Sequence, residues 1–503
     1  MNNNNGLGAP NKQEINALNK FIKSIFKIKT ADELIGNAEK SNLNKTLNAF
    51  DLITLGVGAI IGSGIFTVVG IAIVGGPESV GAGPALVVSM VLASLACIFS
   101  AMCYSEFASM IPVAGSAYVY TFATMGEFFA FIIGWVLMLE YLLGYIAVMT
   151  AWTGYLFEFL KGFETVLPAF LTNKELWVPQ LGNFMGIFPI TVNIPAILIT
   201  IFFALTLVKG TRESTRMAGL MVFIKMAVIA IFVLTGAFYV KPENWVPFAP
   251  NGFEGIFMGA FTIFFAYIGF DAIATAAEET KNPQKNLPIG IIGSLLVCTV
   301  VYVLVALVLT GIVPLNMIDT HAPVAAAMRF IGVDWAAGFV SIGALTGLTS
   351  VLLVLMMAAT RILFAMSRDN LLPKSLQIVH PKFQTPFVVT ILTAVIAIFG
   401  SLFLNIETAA QLVNFGTLTS FIIVCVAVLI LRKIDPKRER PFRVPCVPLF
   451  PLLGILCCGG LMVHSMGSLA TARVLFFAWL IFGAIYYFAY GYKQNRKLEE
   501  QNK

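Results

Sequence analysis

Apolar residues run along this chain in long blocks, and polar residues collect between the blocks. Twelve blocks have the length and hydrophobicity of helices in a bilayer: about 49–74, 84–110, 127–159, 190–208, 218–240, 252–277, 288–313, 335–366, 386–404, 408–431, 447–467 and 471–490. A short further helix is expected over 322–332 on the outer face. The first 47 residues are polar and open on an Asn-rich stretch. Within them, Ile15, Leu18, Phe21, Ile22, Ile25 and Phe26 recur at helical spacing with Lys20, Lys23 and Lys27 between. That pattern is a basic amphipathic helix, either lying on an anionic inner leaflet or simply solvated. No cleavable signal peptide is expected, because the first apolar block comes too late for one.

Composition narrows the class. Of 503 residues, 58% are hydrophobic and 12% charged, against about 25% charged in an ordinary soluble domain. A globular cytosolic enzyme, a disordered chain and a nucleic-acid binder are excluded; an all-α integral membrane protein fits. The net charge of +6 matters less than where it sits. With the N-terminus inside, 26 of the 32 basic residues fall on the inner side. Five (Lys161, Lys174, Lys241, Arg329 and Arg473) fall outside, and Lys225 lies within a span. The Lys/Arg asymmetry therefore favours both termini in the cytoplasm and a multi-pass protein of the cytoplasmic membrane. Six of the seven Cys lie in apolar runs and Cys446 lies in a Pro-rich loop, with three His and no metal-ligand spacing. Neither a disulfide framework, a metal nor another cofactor is expected.

Two blocks are interrupted. The first contains Gly56, Gly58, Gly62 and Gly64 around Ser63, a run costly to helicity. Close helix packing is one explanation, since Gly58 and Gly62 stand at Gly-x-x-x-Gly spacing. Local unwinding around Gly62-Ser63-Gly64 is the other, and exposed backbone at membrane depth must line a cavity or be buried in protein. The sixth block carries Gly269 beside Asp271, a second break. These blocks hold corresponding places in two sets of five, 1–5 and 6–10, and an odd count inverts the second set. Paired interruptions of this kind point to the binding site of a transporter.

The same residues carry a family likeness. The segments Gly58–Phe66, Ile111–Tyr118, Phe265–Pro283 and Arg361–Asp369 occur in order. On them the chain resembles the amino acid–polyamine–organocation (APC) superfamily of permeases, and within it the bacterial relatives of the cationic amino acid transporters, over about residues 45–490. The resemblance implies a five-plus-five inverted repeat with helices 1 and 6 unwound around substrate, plus two C-terminal helices. It divides the chain into a cytoplasmic segment 1–47, a first repeat 48–240, a second repeat 252–431, helices 11–12 over 447–490 and a cytoplasmic tail 491–503. The implied activity is alternating-access transport of an amino acid, with the bilayer and protons as further partners and no enzymatic step.

The resemblance also places substrate at the breaks, and the helix dipole suggests the roles. The backbone of Gly62, Ser63 and Gly64, at a half-helix N-terminus, would receive the carboxylate. Ile60 and the carbonyls of Phe265, Ala266 and Ile268 would receive the ammonium, with Phe265 also a candidate aromatic lid. Glu140 is either a structural hydrogen-bonding group or a wall of the pocket, and Gly144, one turn on, makes room for substrate. Lys225, in an apolar helix, is a functional candidate because a charge there is costly. By resemblance it stands where sodium-coupled relatives bind a cation, bridging spans 1 and 5 as a proton-coupling group; a lysine snorkelling to the inner face is the alternative. Asp271 would cap the inner half-helix or bind an opposing helix. Glu106 and Arg361 would belong to structural or gating networks on the cytoplasmic side.

Substrate choice rests on span 8. The animal cationic transporters have Gly-Ser where Val354 and Leu355 align here, which implies a shorter pocket and neutral L-amino acids over cationic ones. Proton-coupled uptake is the favoured mode; exchange, cationic transport and a non-transporting amino acid sensor remain as alternatives. An intramembrane enzyme would need a catalytic set that the spans do not assemble, and a channel would need rings of polar residues or pore loops.

Overall fold

The computed structural model describes residues 26, 28–38, 47–113, 115–161, 168, 173–184, 188–209, 214–277, 280–383, 385–494 and 496. The expected amphipathic helix over 15–27 lies outside them, apart from Phe26. Among the described residues, nine helices are long and apolar enough to cross a membrane, and one further pair forms a span bent by 43°. That pair is α1 (Ala49–Ile60) and α2 (Val69–Val74), the second entered through a π-helical turn at Gly64–Val68. Two further apolar helices, α6 (Ile194–Lys209) and α13 (Phe387–Ser401), stand where the fourth and ninth blocks are expected. They are shorter, at 16 and 15 residues; at 1.5 Å per residue each is about 24 Å or less, under the roughly 30 Å of a hydrocarbon core.

The remaining helices of the bundle are α3 (Leu86–Met110), α4 (Ser116–Thr124), α5 (Glu127–Lys161), α7 (Ser214–Ala237), α8 (Gly252–Phe264), α9 (Ala272–Thr275), α10 (Pro283–Ile312), α11 (Pro323–Phe330), α12 (Asp334–Arg368), α14 (Ile406–Ile434), α15 (Leu449–Ser468) and α16 (Ala470–Tyr486). Helix α11 realises the short element expected at 322–332.

Three local features differ from the block pattern. The fourth block opens in a strand: Phe188–Thr191 pairs antiparallel with Gln180–Phe184, and the helix starts only at Ile194 with Pro195 in its first turn. Pro is tolerated there because that N–H has no intrahelical partner. The first block ends in a two-strand turn, Gly75–Gly76 against Ser79–Val80, where Gly75 takes φ +99°. Residues 116–124, read only as part of a motif, form the separate helix α4.

Helix α5 sits at the centre, packed along α12 and α14, with α10 against α1 and α3. The start of α1 is fixed by a capping box: Asn48 Oδ1 accepts from Phe50 and Asp51 N–H, while the Asp51 side chain accepts from Asn48 N–H. Just before it, Leu47 O accepts from Lys281 N–H at 2.8 Å, so the chain entering the first broken span is tied to the chain leaving the sixth. Helix α16 is fastened to α5 by a stacked Trp135–Trp479 pair, ring centres 4.7 Å apart. Each indole N–H donates to the other residue's carbonyl, at 3.0 and 3.1 Å. Stacking covers the apolar rings and the reciprocal bonds satisfy the polar ends.

Candidate functional site

The two interrupted spans meet at their breaks. Helix α1 stops at Ile60; Ile61 is extended, and the chain re-enters helix at Gly64 through a π turn. Ser63, the residue before that turn, makes no side-chain cap, so its hydroxyl does not occupy the first N–H groups of the second half-helix; Phe66 N–H already bonds to Gly62 O at 3.2 Å. Within the π turn, the Phe66 carbonyl accepts from the Tyr155 hydroxyl. In the sixth span, α8 gives way to a 3₁₀ turn at Phe265–Tyr267, Ile268 is extended, and Gly269 takes φ +117° before Asp271 and α9. A side chain at Gly64 would overlap the backbone of Ala266, and one at Gly269 would press on Ala59. Glycine at these two positions is what lets the broken segments touch.

A cavity with about 570 Å³ of atom-free space opens at this junction. Of the residues expected at a site, Ile60, Gly62, Ser63, Gly64, Glu140, Gly144, Phe265, Ile268 and Leu355 line it. Val354, also singled out from span 8, joins them, and the sequence did not point to Val148, Val351, Ala358 or Val413, which complete its apolar side. Gly144 faces Leu355 across the space: a Cβ at Gly144 would stand 3.5 Å from the leucine's methyl carbon. Glu140 is buried, and neither carboxylate oxygen meets a hydrogen-bond donor; the Thr417 hydroxyl donates to Val413 O instead.

The other expected residues do not line the cavity. Ala266 packs on Gly64 and does not line it. The Ala266 carbonyl lies 2.8 Å from the Tyr302 hydroxyl, and the Ile60 carbonyl lies 2.9 Å from the same hydroxyl. One O–H donates one proton, so at any moment one of these two carbonyls lacks that donor. Tyr302, fully buried in α10, gave no signal in the sequence beyond being a polar aromatic in an apolar span. Asp271 makes no cap bond; its Oδ2 accepts from Tyr141 at 3.0 Å, so it binds the opposing α5.

Lys225 is completely buried and makes two short hydrogen bonds, to Gly58 O at 2.6 Å and Ile61 O at 2.8 Å. It therefore ties α7 to the frayed end of α1 rather than reaching for an aqueous surface. Among the described residues no carboxylate pairs with it. Glu106 is buried under Arg432, which holds it by two bonds of 3.0 and 2.6 Å, and under Arg440, and it also accepts from Val444 N–H. This network fastens α3 to the loop after α14. Arg361 is exposed on α12, outside the cavity lining.

Known proteins resemble this chain over most of its length. The family model described as amino acid permease matches residues 47–488. A methylthioribose transporter of Bacillus subtilis (strain 168) is 44% identical over 94% of this chain and 99% of its own. A branched-chain amino acid permease of the same organism is 45% identical over 94% and 99%. The chloroplastic cationic amino acid transporter 9 of Arabidopsis thaliana is 38% identical over 79% of this chain and 68% of its own. Taken with the many apolar helices, these matches make the protein a multi-pass membrane protein, and the chain belongs to the amino acid permease family of the APC superfamily.

Proposed function

We propose that this protein is a secondary active transporter that carries L-amino acids across the cytoplasmic membrane by alternating access, with neutral side chains favoured. The observation that carries the reading is the cavity itself. On one side it offers uncapped backbone N–H groups at Gly62–Gly64, and on the other an apolar wall of Val148, Val351, Val354 and Leu355. A half-helix N-terminus suits a carboxylate without a fixed positive side chain. The ammonium goes to the Ile60 carbonyl when Tyr302 donates to Ala266 O, with Phe265 covering it. The aliphatic side chain lies along the valines, and the branched-chain permease among the relatives fits that wall.

The molecule has twelve spans in a five-plus-five inverted repeat over 48–240 and 252–431, followed by two more helices. Both termini face the cytoplasm. The short α6 and α13 count as spans, the bilayer thinning or the flanking residues making up the difference. Lys225 couples transport to protons. As an ammonium it holds α7 to the Gly58 and Ile61 carbonyls; on losing its proton it retains a weaker donor, and the first broken span is released to move.

One observation favours a second reading. Glu140 lines the cavity and its carboxylate oxygens have no hydrogen-bond partner, a group that would suit the cationic side chain of arginine or lysine.

Uptake of labelled leucine, alanine, arginine, lysine and methylthioribose into proteoliposomes, with and without an inward proton gradient, tests the proposal. Leucine accumulation that needs the gradient supports it. Uptake only against preloaded amino acid selects exchange, preferential uptake of arginine selects the second reading, and transport of methylthioribose alone refutes amino acid transport.

A further inference from the structure

A second, smaller chamber, with room for about one water-sized group, is lined by Val68, Ile71, Thr262, Glu407, Ala410, Gln411 and Asn414. We propose that it is a way-station for the primary ammonium group of the substrate, occupied before or after the central cavity. This rests on the reading of the protein as an amino acid transporter and names a second place where that substrate is held.

The polar groups of the chamber present acceptors. The Asn414 amide N–H₂ is spent on Phe261 O, at 2.6 Å, and its Oδ1, fully buried, meets no donor. The Gln411 amide N–H₂ donates to Glu407 Oε1 at 3.1 Å, and the Ser79 hydroxyl donates to the same oxygen at 3.3 Å. Glu407 Oε2 has no hydrogen-bond partner among the described residues. The chamber thus offers a carboxylate oxygen, an amide oxygen and the Thr262 hydroxyl, and among the described residues no cationic side chain pairs with its carboxylate. A buried acceptor without a donor costs free energy until a donor arrives, and an ammonium brings three.

Position links the two spaces. Val413 lines the central cavity and its neighbour Asn414 lines the chamber. Val68, at the end of the π turn, lies about one turn beyond Gly64. On this proposal, a substrate moving along the second half of the broken first span would pass from one set of acceptors to the other. A bound metal ion fits less well: no group of three or more His, Cys, Asp or Glu that could hold one occurs among the described residues. A Cβ at position 76 would overlap the Glu407 carboxylate and push that flexible side chain aside.

Leucine uptake by wild type, Glu407→Gln and Gly76→Ala, with isoamylamine as a competitor, tests the proposal. Isoamylamine carries the ammonium and the branched chain of leucine without its carboxylate. Both variants are expected to raise KM about tenfold with kcat unchanged, the scale of one charge-assisted hydrogen bond. Isoamylamine should compete in wild type and lose that effect in Glu407→Gln. An unchanged KM in both variants, with thermal unfolding as in wild type, overturns the proposal. So does competition by sodium chloride but not by isoamylamine, which assigns the chamber to a metal cation. Equilibrium binding of isoamylamine to the purified protein keeps the two readings apart. If wild type moves no amino acid, the transport reading fails, and loss of that binding in Glu407→Gln still decides the chamber.

Discussion

The breaks in the first and sixth spans do the same geometric work with different chemistry. Both interrupt a helix at membrane depth, both use glycine to bring backbone close, and both leave carbonyls that need donors. At the sixth break the donor is the Tyr302 hydroxyl, which also reaches Ile60 O across the junction. At the first break the donor is the Lys225 ammonium, on Gly58 O and Ile61 O. A phenol in a buried site is a fixed tie, whereas an amine can gain or lose a proton. Under the proposed proton coupling, the sixth break is the static end of the pair and the first is the switchable one.

The largest expected effect tests the shared feature, close backbone approach. Gly64→Leu would drive a side chain into Ala266 and should abolish leucine binding, measured by equilibrium dialysis of purified protein; wild-type affinity would break the account of the carboxylate cradle. Next is the static tie. Tyr302→Phe leaves the Ile60 and Ala266 carbonyls without this donor, at a cost of about 1–3 kcal/mol for a buried unsatisfied group. A lower melting temperature in detergent, with the proton dependence of uptake retained, is expected; loss of proton dependence would mean that the sixth break carries the coupling. The smallest effect is on selectivity. Leu355→Ser shortens the wall opposite Gly144 and should admit arginine while weakening leucine modestly, read from competition for uptake. No gain of arginine binding would count against span 8 as the side-chain wall.

The sequence disclosed both breaks because glycine runs inside apolar blocks have few uses in a bilayer. It disclosed Lys225 because a lone charge in such a block is costly. Glu140 stood out as a carboxylate inside the third block; Gly144 lies one turn on, and its role came from the family resemblance. What stayed hidden depends on contacts between distant segments. Nothing local marks Tyr302 as the donor shared by residues 60 and 266, or sets Asn414 apart from other polar residues in the tenth block. The valines at 148, 351 and 413 look like any lipid-facing residue until the helices are packed. The start of α6 was misplaced because Phe188 and Ile190 are apolar in a strand as they would be in a helix, and periodicity cannot separate the two over so short a run.

The comparison of the two breaks comes down to Lys225. Uptake of labelled leucine by wild type and Lys225→Met should be measured in proteoliposomes, with and without an inward proton gradient, and with internal leucine for counterflow. The account predicts that wild type concentrates leucine only with the gradient, while the variant still exchanges leucine but no longer responds to the gradient. Undiminished proton-driven accumulation by Lys225→Met would contradict it.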